Sequence, residues 1–146
     1  VSTNAVSGYT VKIDENDQLG RNGNPCPGAN AGETDNCIQD TTCNPATPCS
    51  QTTSGEWTSV TSYGFGYSLQ NVSGTDATFT YNESGRTFSS RQIADLEAGE
   101  TAQAIMSRSS PAASSQVRVC YRLNISSTQP AGYYFNRVRF TASATF

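Results

Sequence analysis

The side chains best suited to chemistry in this chain are five cysteines, four crowded as Cys26, Cys37, Cys43 and Cys49 and a fifth far downstream at Cys120. No two of them lie two to four residues apart, the spacing that linked zinc ligands require, so disulfide stapling is the expected chemistry. Disulfides imply an oxidising compartment, and closing a loop of this kind typically adds about 2–4 kcal/mol, chiefly by restricting the unfolded chain. Connectivity stays open, because four cysteines allow about three pairings and Cys120 enlarges the set. An odd number also leaves one thiol free, or paired between molecules.

Cys120 stands between Arg118 and Arg122 in the run Val117-Arg118-Val119-Cys120-Tyr121-Arg122-Leu123. Nearby positive charge favours a thiolate, so a free Cys120 would be reactive. A disulfide to one of the loop cysteines, pinning the loop over the arginines, is the preferred expectation. Other constellations are weaker. Asp14, Asn16 and Asp17 come near a calcium loop, but Gln18, Leu19 and Pro25 occupy positions where that pattern needs an acceptor, a glycine and a glutamate, so they read as a polar turn. Gly66-Tyr67-Ser68-Leu69-Gln70 resembles a nucleophile elbow without its last glycine, and the chain has no histidine to serve it. Lys12 and Asn136 could form an isopeptide bond only if Lys12 were buried, whereas its parity points outward. Asn71, Asn82 and Asn124 each begin an N-x-S sequon and are candidate glycan sites if the source organism attaches glycans, although a chain this rich in serine and asparagine also yields such matches by chance. No catalytic set emerges, and neither an enzyme activity nor a cofactor is expected.

The elements that would carry these residues read as strands. Tyr9, Val11 and Ile13 alternate with polar neighbours after a turn at Val6-Ser7-Gly8. Tyr63, Phe65, Tyr67 and Leu69 alternate with Gly64, Gly66 and Ser68, and glycines on one strand face mark a bend or the close approach of another element. Ala77, Phe79 and Tyr81 suggest a further strand. Between Ser89 and Ile105 the pattern favours a loop, at most one or two helical turns, then a strand through Thr101 to Met106. The strongest signal is Gln116 to Phe146. Val117, Val119, Tyr121, Leu123 and Ile125 form one parity, and after a turn Val138, Phe140, Ala142, Ala144 and Phe146 form another, which predicts a β-hairpin. Its opposite face would hold Arg118, Arg122, Arg137 and Arg139. Like charges placed across strands repel, so this face either docks on acids from the same or a neighbouring chain or stays solvated.

Six to eight strands separated by turn clusters predict one all-β domain over residues 1–146, a two-sheet antiparallel β-sandwich with little helix. Residues 20–56 form its one long irregular, disulfide-stapled loop. The composition agrees: 14 % of residues are charged and 35 % apolar, and serine and threonine make up about a quarter, which suits strands and polar turns. The net charge of −3 conceals an asymmetry. Residues 1–56 carry seven acids against Lys12 and Arg21, and the remainder five acids against seven arginines. That balance disfavours nucleic acid as a partner and favours contact between the acidic and basic parts. No apolar run approaches the roughly 18 residues of a membrane helix, so no membrane insertion is expected. The start at Val1 is expected to be that of a mature product or an excised domain.

Thr3-Asn4-Ala5 with Gly8-Tyr9, Gly64-Phe65-Gly66-Tyr67-Ser68-Leu69, and Gln129-Pro130-Ala131-Gly132-Tyr133 resemble a group of poorly characterised exported bacterial surface proteins with a TNAxxGY start and a QPAGxY turn. More loosely, the last strand resembles that of pilin-like subunits of the spore-coat U and archaic chaperone-usher type. The resemblance implies an Ig-like or pilin-like sandwich at the cell surface. In the first group a strand usually precedes the TNA segment and is absent here, which implies a shortened chain or strand addition from a neighbour. The expected function is a structural subunit of an extracellular filament or cell-surface layer, self-associating by strand exchange. The alternative is an adhesin module binding carbohydrate or another surface ligand through Trp57, Tyr63, Tyr67 or the cysteine loop.

Overall fold

A computed structural model of the chain describes residues 1–27, 36–81 and 88–146. These residues contain strands and no helix. The strands are β1 (Tyr9–Glu15), β2 (Leu19–Arg21), β3 (Cys37–Ile38), β4 (Cys43–Asn44), β5 (Thr47–Pro48), β6 (Gly55–Glu56), β7 (Gly64–Ser73), β8 (Ser89–Ser90), β9 (Gln103–Arg108), β10 (Gln116–Asn124), β11 (Tyr134–Phe135) and β12 (Val138–Ala144). They form small antiparallel sheets in the orders β12-β1-β9, β10-β7, β11-β2-β3, β4-β5 and β6-β8.

β1 is central in its sheet because its alternation provides apolar side chains for one face and hydrogen-bonding edges for two neighbours. Its register with β12 runs from Tyr9 opposite Ala144 to Glu15 opposite Val138, and its pairing with β9 shifts at a bulge between Val11 and Lys12. In the second large pairing, Val119 lies opposite Leu69, Tyr121 opposite Tyr67 and Leu123 opposite Phe65. Tyr9, Val11, Ile13, Tyr67, Leu69, Ile93, Ile105, Met106 and Ala112 close the main core. Beneath Tyr9, its hydroxyl donates to Asp76 Oδ2 at 2.6 Å and the Ser115 hydroxyl donates to the same oxygen at 2.7 Å. These hydrogen bonds hold the Asp76 carboxyl below its ordinary range, despite the opposing effect of burial.

The expected hairpin does not form. β10 pairs with β7, and β12 with β1, so the two strands enter different sheets. Alternation specifies which residues share a face but not which strand lies alongside, and residues 125–133 form a crossing rather than a tight turn. Within that crossing the Tyr134 hydroxyl donates to Pro130 O at 2.9 Å, and Gln129 Nε2 donates to the same hydroxyl at 2.9 Å. Residues 77–81 are not a strand either. They pass from β9 to β7, with Thr78 N donating to Ile105 O and Tyr81 N to Leu69 O. Residues 96–99 are turn, so the split of loop and strand holds without helix.

The stapled loop contains the short strands β2 to β6, and its disulfides are Cys26–Cys37 and Cys43–Cys49. Cys43 and Cys49 pack with the fully buried Trp57 in a second, smaller core. The glycine face of β7 explains where that core rests. A β-carbon on Gly66 would lie 2.7 Å from Thr41 Cγ2 and 2.8 Å from Arg91 O, so a side chain there would displace the covering segments.

One buried group is unfavourable in place. The Tyr67 hydroxyl has no hydrogen-bond partner among the described residues, and burial pushes its pKa up to about 12. An unpaired buried hydroxyl loses its hydration without compensation. Tyr67→Phe is therefore expected to raise stability by about 1 kcal/mol in urea unfolding, with the ring contact to Phe79 retained.

Candidate functional site

Two of the longer strands, β10 and β12, present open edges. Among the described residues, β10 is paired only with β7 and β12 only with β1. β7 itself has no such edge: Phe65, Tyr67 and Leu69 exchange backbone hydrogen bonds with segments at 39–41, 91 and 81. The open strands also leave their apolar faces uncovered. Val117, Val119 and Val138 pack against the main core, but Tyr121, Leu123, Ile125 and Phe140, on the same parities, are 47–51 % exposed. A cleft formed by Ile38, Leu123, Ile125, Gln129, Pro130, Ala131, Gly132 and Tyr134 continues this apolar surface at the end of β10.

The four arginines do not share one face. Arg139 lies opposite Asp14 on β1 and grips it with a fork, Nε to Oδ1 at 3.1 Å and Nη2 to Oδ2 at 3.3 Å. An acid of the first third thus meets an arginine of the last, within one chain. Arg118 donates to Gln70 Oε1 at 2.9 Å. The Arg137 backbone N–H donates to Asn16 Oδ1 at 2.5 Å, while its guanidinium has no ion-pair partner among the described residues. Arg122 is structural in a different way. Its guanidinium stacks 4.5 Å from the Trp57 ring centroid and 5.3 Å from that of Phe88, and Nη1 donates to Trp57 O. Burial lowers its pKa.

Arg122 on β10 is covered by Trp57, which in turn packs on the Cys43–Cys49 disulfide, and Cys120 takes no part. Cys120 is an exposed free thiol. It lies on β10, while the four loop cysteines already pair among themselves, so the expected bond to the loop is not made. Arg122 on Trp57 provides the clamp instead. Beside it, Ser68, Gln70, Tyr81, Phe88, Ser90, Cys120, Tyr121 and Arg122 line a mostly apolar cavity of about 310 Å³. Ser68 is committed within its wall, donating to Ser89 O and sharing a hydrogen bond with Ser90 Oγ.

The acidic turn is not solvated as expected. Asp14, Glu15, Asp17 and Gln18 are all buried. Asp14 is paired with Arg139; Asp17 accepts from Gln18 N at 2.8 Å and Cys26 N at 2.9 Å; Asn16 accepts from Arg137 N. The three weak metal candidates are therefore spent on holding the turn. Glu15 and Asp40 were not legible as a pair, yet they meet inside the protein, and a signal existed: Glu15 continues the inward parity of Tyr9, Val11 and Ile13.

Lys12 is exposed, away from any buried cross-link with Asn136. Asn71 Oδ1 accepts from Ala77 N at 3.1 Å. Asn124 Nδ2, the atom a glycan would occupy, donates to Val60 O and Ser62 O. Asn82 lies outside the described residues. Trp57 and Tyr67 are fully buried, so of the proposed aromatic platform only Tyr63 remains partly open.

Comparison with family models, with curated proteins and with solved structures gives no match to this chain. The functional reading thus rests on the open edges, the disulfides and the charge distribution. Two disulfides are compatible with an oxidising, extracellular setting. Among the described residues no helix is long and apolar enough to cross a membrane.

Proposed function

We propose that this chain is a structural subunit of an extracellular filament or cell-surface layer whose copies join by strand addition. The observation that carries the reading is the pair of edge strands β10 and β12, each paired on one side and each with half-exposed apolar residues on its core parity. An open edge with an uncovered apolar face is a liability that soluble proteins normally blunt. An added strand would satisfy the backbone groups of the edge it joins and cover the apolar residues there, Tyr121, Leu123 and Ile125 at β10 or Phe140 at β12. In this reading the β12-β1-β9 and β10-β7 sheets are the two layers of an incomplete sandwich.

The occupant we assign is a second copy of this chain. Its acidic portion, residues 1–56, and its basic portion, residues 57–146, are complementary in sign between copies, which favours self-association over repulsion. Negative-stain microscopy and light scattering of the protein at rising concentration test this. Polymers are expected from the wild type and a monomer from Leu123→Glu or Phe140→Glu, substitutions that leave half-exposed sites charged without opening the core. A wild-type protein that stays monodisperse at every concentration, or variants that polymerise as it does, would overturn the proposal.

A further inference from the structure

At one end of the main core, Glu15 of β1 and Asp40 of the segment that precedes β4 face one another with 0 % and 2 % exposure. Asp40 reaches this position because its segment lies along the far edge of β7: Phe65 N donates to Gln39 O at 2.9 Å and Thr41 N to Phe65 O at 2.8 Å. The acid pair therefore joins β1 to the backbone neighbours of β7. Around it stand further carboxyls, Asp17 after β1 and Asp95 and Glu100 on the turn beside it, and the phenol of Tyr121 on β10. Asp95 is bridged to Glu15 through the backbone. The charges that act most strongly on Glu15 and Asp40 are all carboxylates.

Three unpartnered oxygens decide what such a pair can hold. Asn136 Nδ2 donates to Glu15 Oε2, while Glu15 Oε1 and both Asp40 oxygens are buried with no donor aimed at them from the described residues. Two adjacent ionised carboxylates without a donor between them would be strongly unfavourable. A proton on one of them supplies the missing donor. A cation fits less well, because the Asn136 amide already donates to Glu15 Oε2 as well as to Asp17 O, and no group of three acidic or thiol side chains converges as a metal site among the described residues.

We propose that Glu15 and Asp40 share one proton and form a pH-sensitive latch: while the proton is present the 39–41 segment is held against β1, and its transfer to solvent base releases that segment from the edge of β7. Burial and the neighbouring carboxylates raise both pKa values above the ordinary range. The sign follows directly. A carboxyl raised in the folded state contributes its stability in full below its ordinary value and loses it as pH rises through the raised value. The latch therefore holds in acid and at neutrality and opens in alkali.

Hydrogen exchange on the intact chain reads the latch directly. Between about pH 6 and pH 9, corrected protection of the Thr41 and Phe65 amides is expected to fall by up to tenfold per unit, while amides of β1 paired with β9 hold theirs. Glu15→Gln, whose amide donates permanently, is expected to abolish the fall, as is Asp40→Asn. On the wild type alone, an infrared carbonyl band of a protonated carboxylic acid is expected at neutral pH and is expected to persist while protection falls, disappearing only as pH passes the raised value, a readout that does not depend on the variants folding. Protection that falls equally in Glu15→Gln and Asp40→Asn, absence of that band, or full restoration of alkaline protection by calcium chloride would each overturn the proton latch, the last in favour of a cation site.

Discussion

Trp57→Ala is expected to destabilise the protein by about 3–5 kcal/mol, measured by urea unfolding, because it deletes the largest fully buried side chain. The cost has more than one source. The indole fills the small core against Cys43 and Cys49, its Nε1 donates to Ser62 O at 2.8 Å, and its face receives Arg122. Loss of the ring leaves a cavity, a Ser62 carbonyl held only by Asn124 Nδ2, and an arginine left with Phe88 as its one aromatic neighbour among the described residues. Against a total stability of roughly 5–15 kcal/mol for an ordinary domain, this is a large fraction. Arg122→Ala separates the contributions, since it removes only the stacking and a hydrogen bond and is expected to cost about 1–2 kcal/mol. Trp57 is the only tryptophan, so the fluorescence of Arg122→Ala reports this layer alone. Unchanged emission there would show that the cation does not hold the loop in place.

Gly8→Ala is expected to cost about 2–5 kcal/mol by strain and overlap together. Gly8 has φ of +80°, and a β-carbon there would stand 1.9 Å from Arg108 O, the backbone of the neighbouring β9. Neither the turn at Val6-Ser7 nor the β1–β9 edge can absorb that without separating, and the separation would reach Tyr9 and its hydrogen bond to Asp76. Gly99 provides the control. Its φ is +81° but nothing lies within 4 Å of a β-carbon, so Gly99→Ala is expected to cost only about 1–2 kcal/mol of backbone strain. Thermal unfolding of the two variants side by side isolates the steric part. Equal losses would remove the β9 contact as the reason for glycine at position 8.

These contrasts show which features could be read from residue order. Apolar alternation identified β1, β7, β10 and β12 and the buried side chains of β1 and β7, because period-2 spacing is a local property of an extended chain. It could not identify partners, which depend on how distant segments meet, and so the two final strands were assigned to each other instead of to β7 and β1. The glycines of β7 did signal a close neighbour. What that neighbour was could not be seen, since cysteine spacing carries no connectivity and nothing local links Trp57 to Arg122, 65 positions apart. The acids were hardest to place. Asp14 to Asp17 have the composition of a solvated turn, and only the strict continuation of parity to Glu15 hinted that one carboxyl would be carried into the core beside Asp40.

The pairing of β1 with β12 also determines the order in which the molecule can be made. Residues 9–15 find one of their two partners only in residues 138–144, at the opposite end of the sequence, and their other partner in residues 103–108. During synthesis β1 must therefore wait, unpaired and with Tyr9, Val11 and Ile13 uncovered, until most of the chain has been translated. Contacts of such long sequence separation slow folding, since the loop must close before they repay the cost. Until then the Cys43–Cys49 segment, whose disulfide and β4–β5 pairing join neighbours in sequence, is able to organise early.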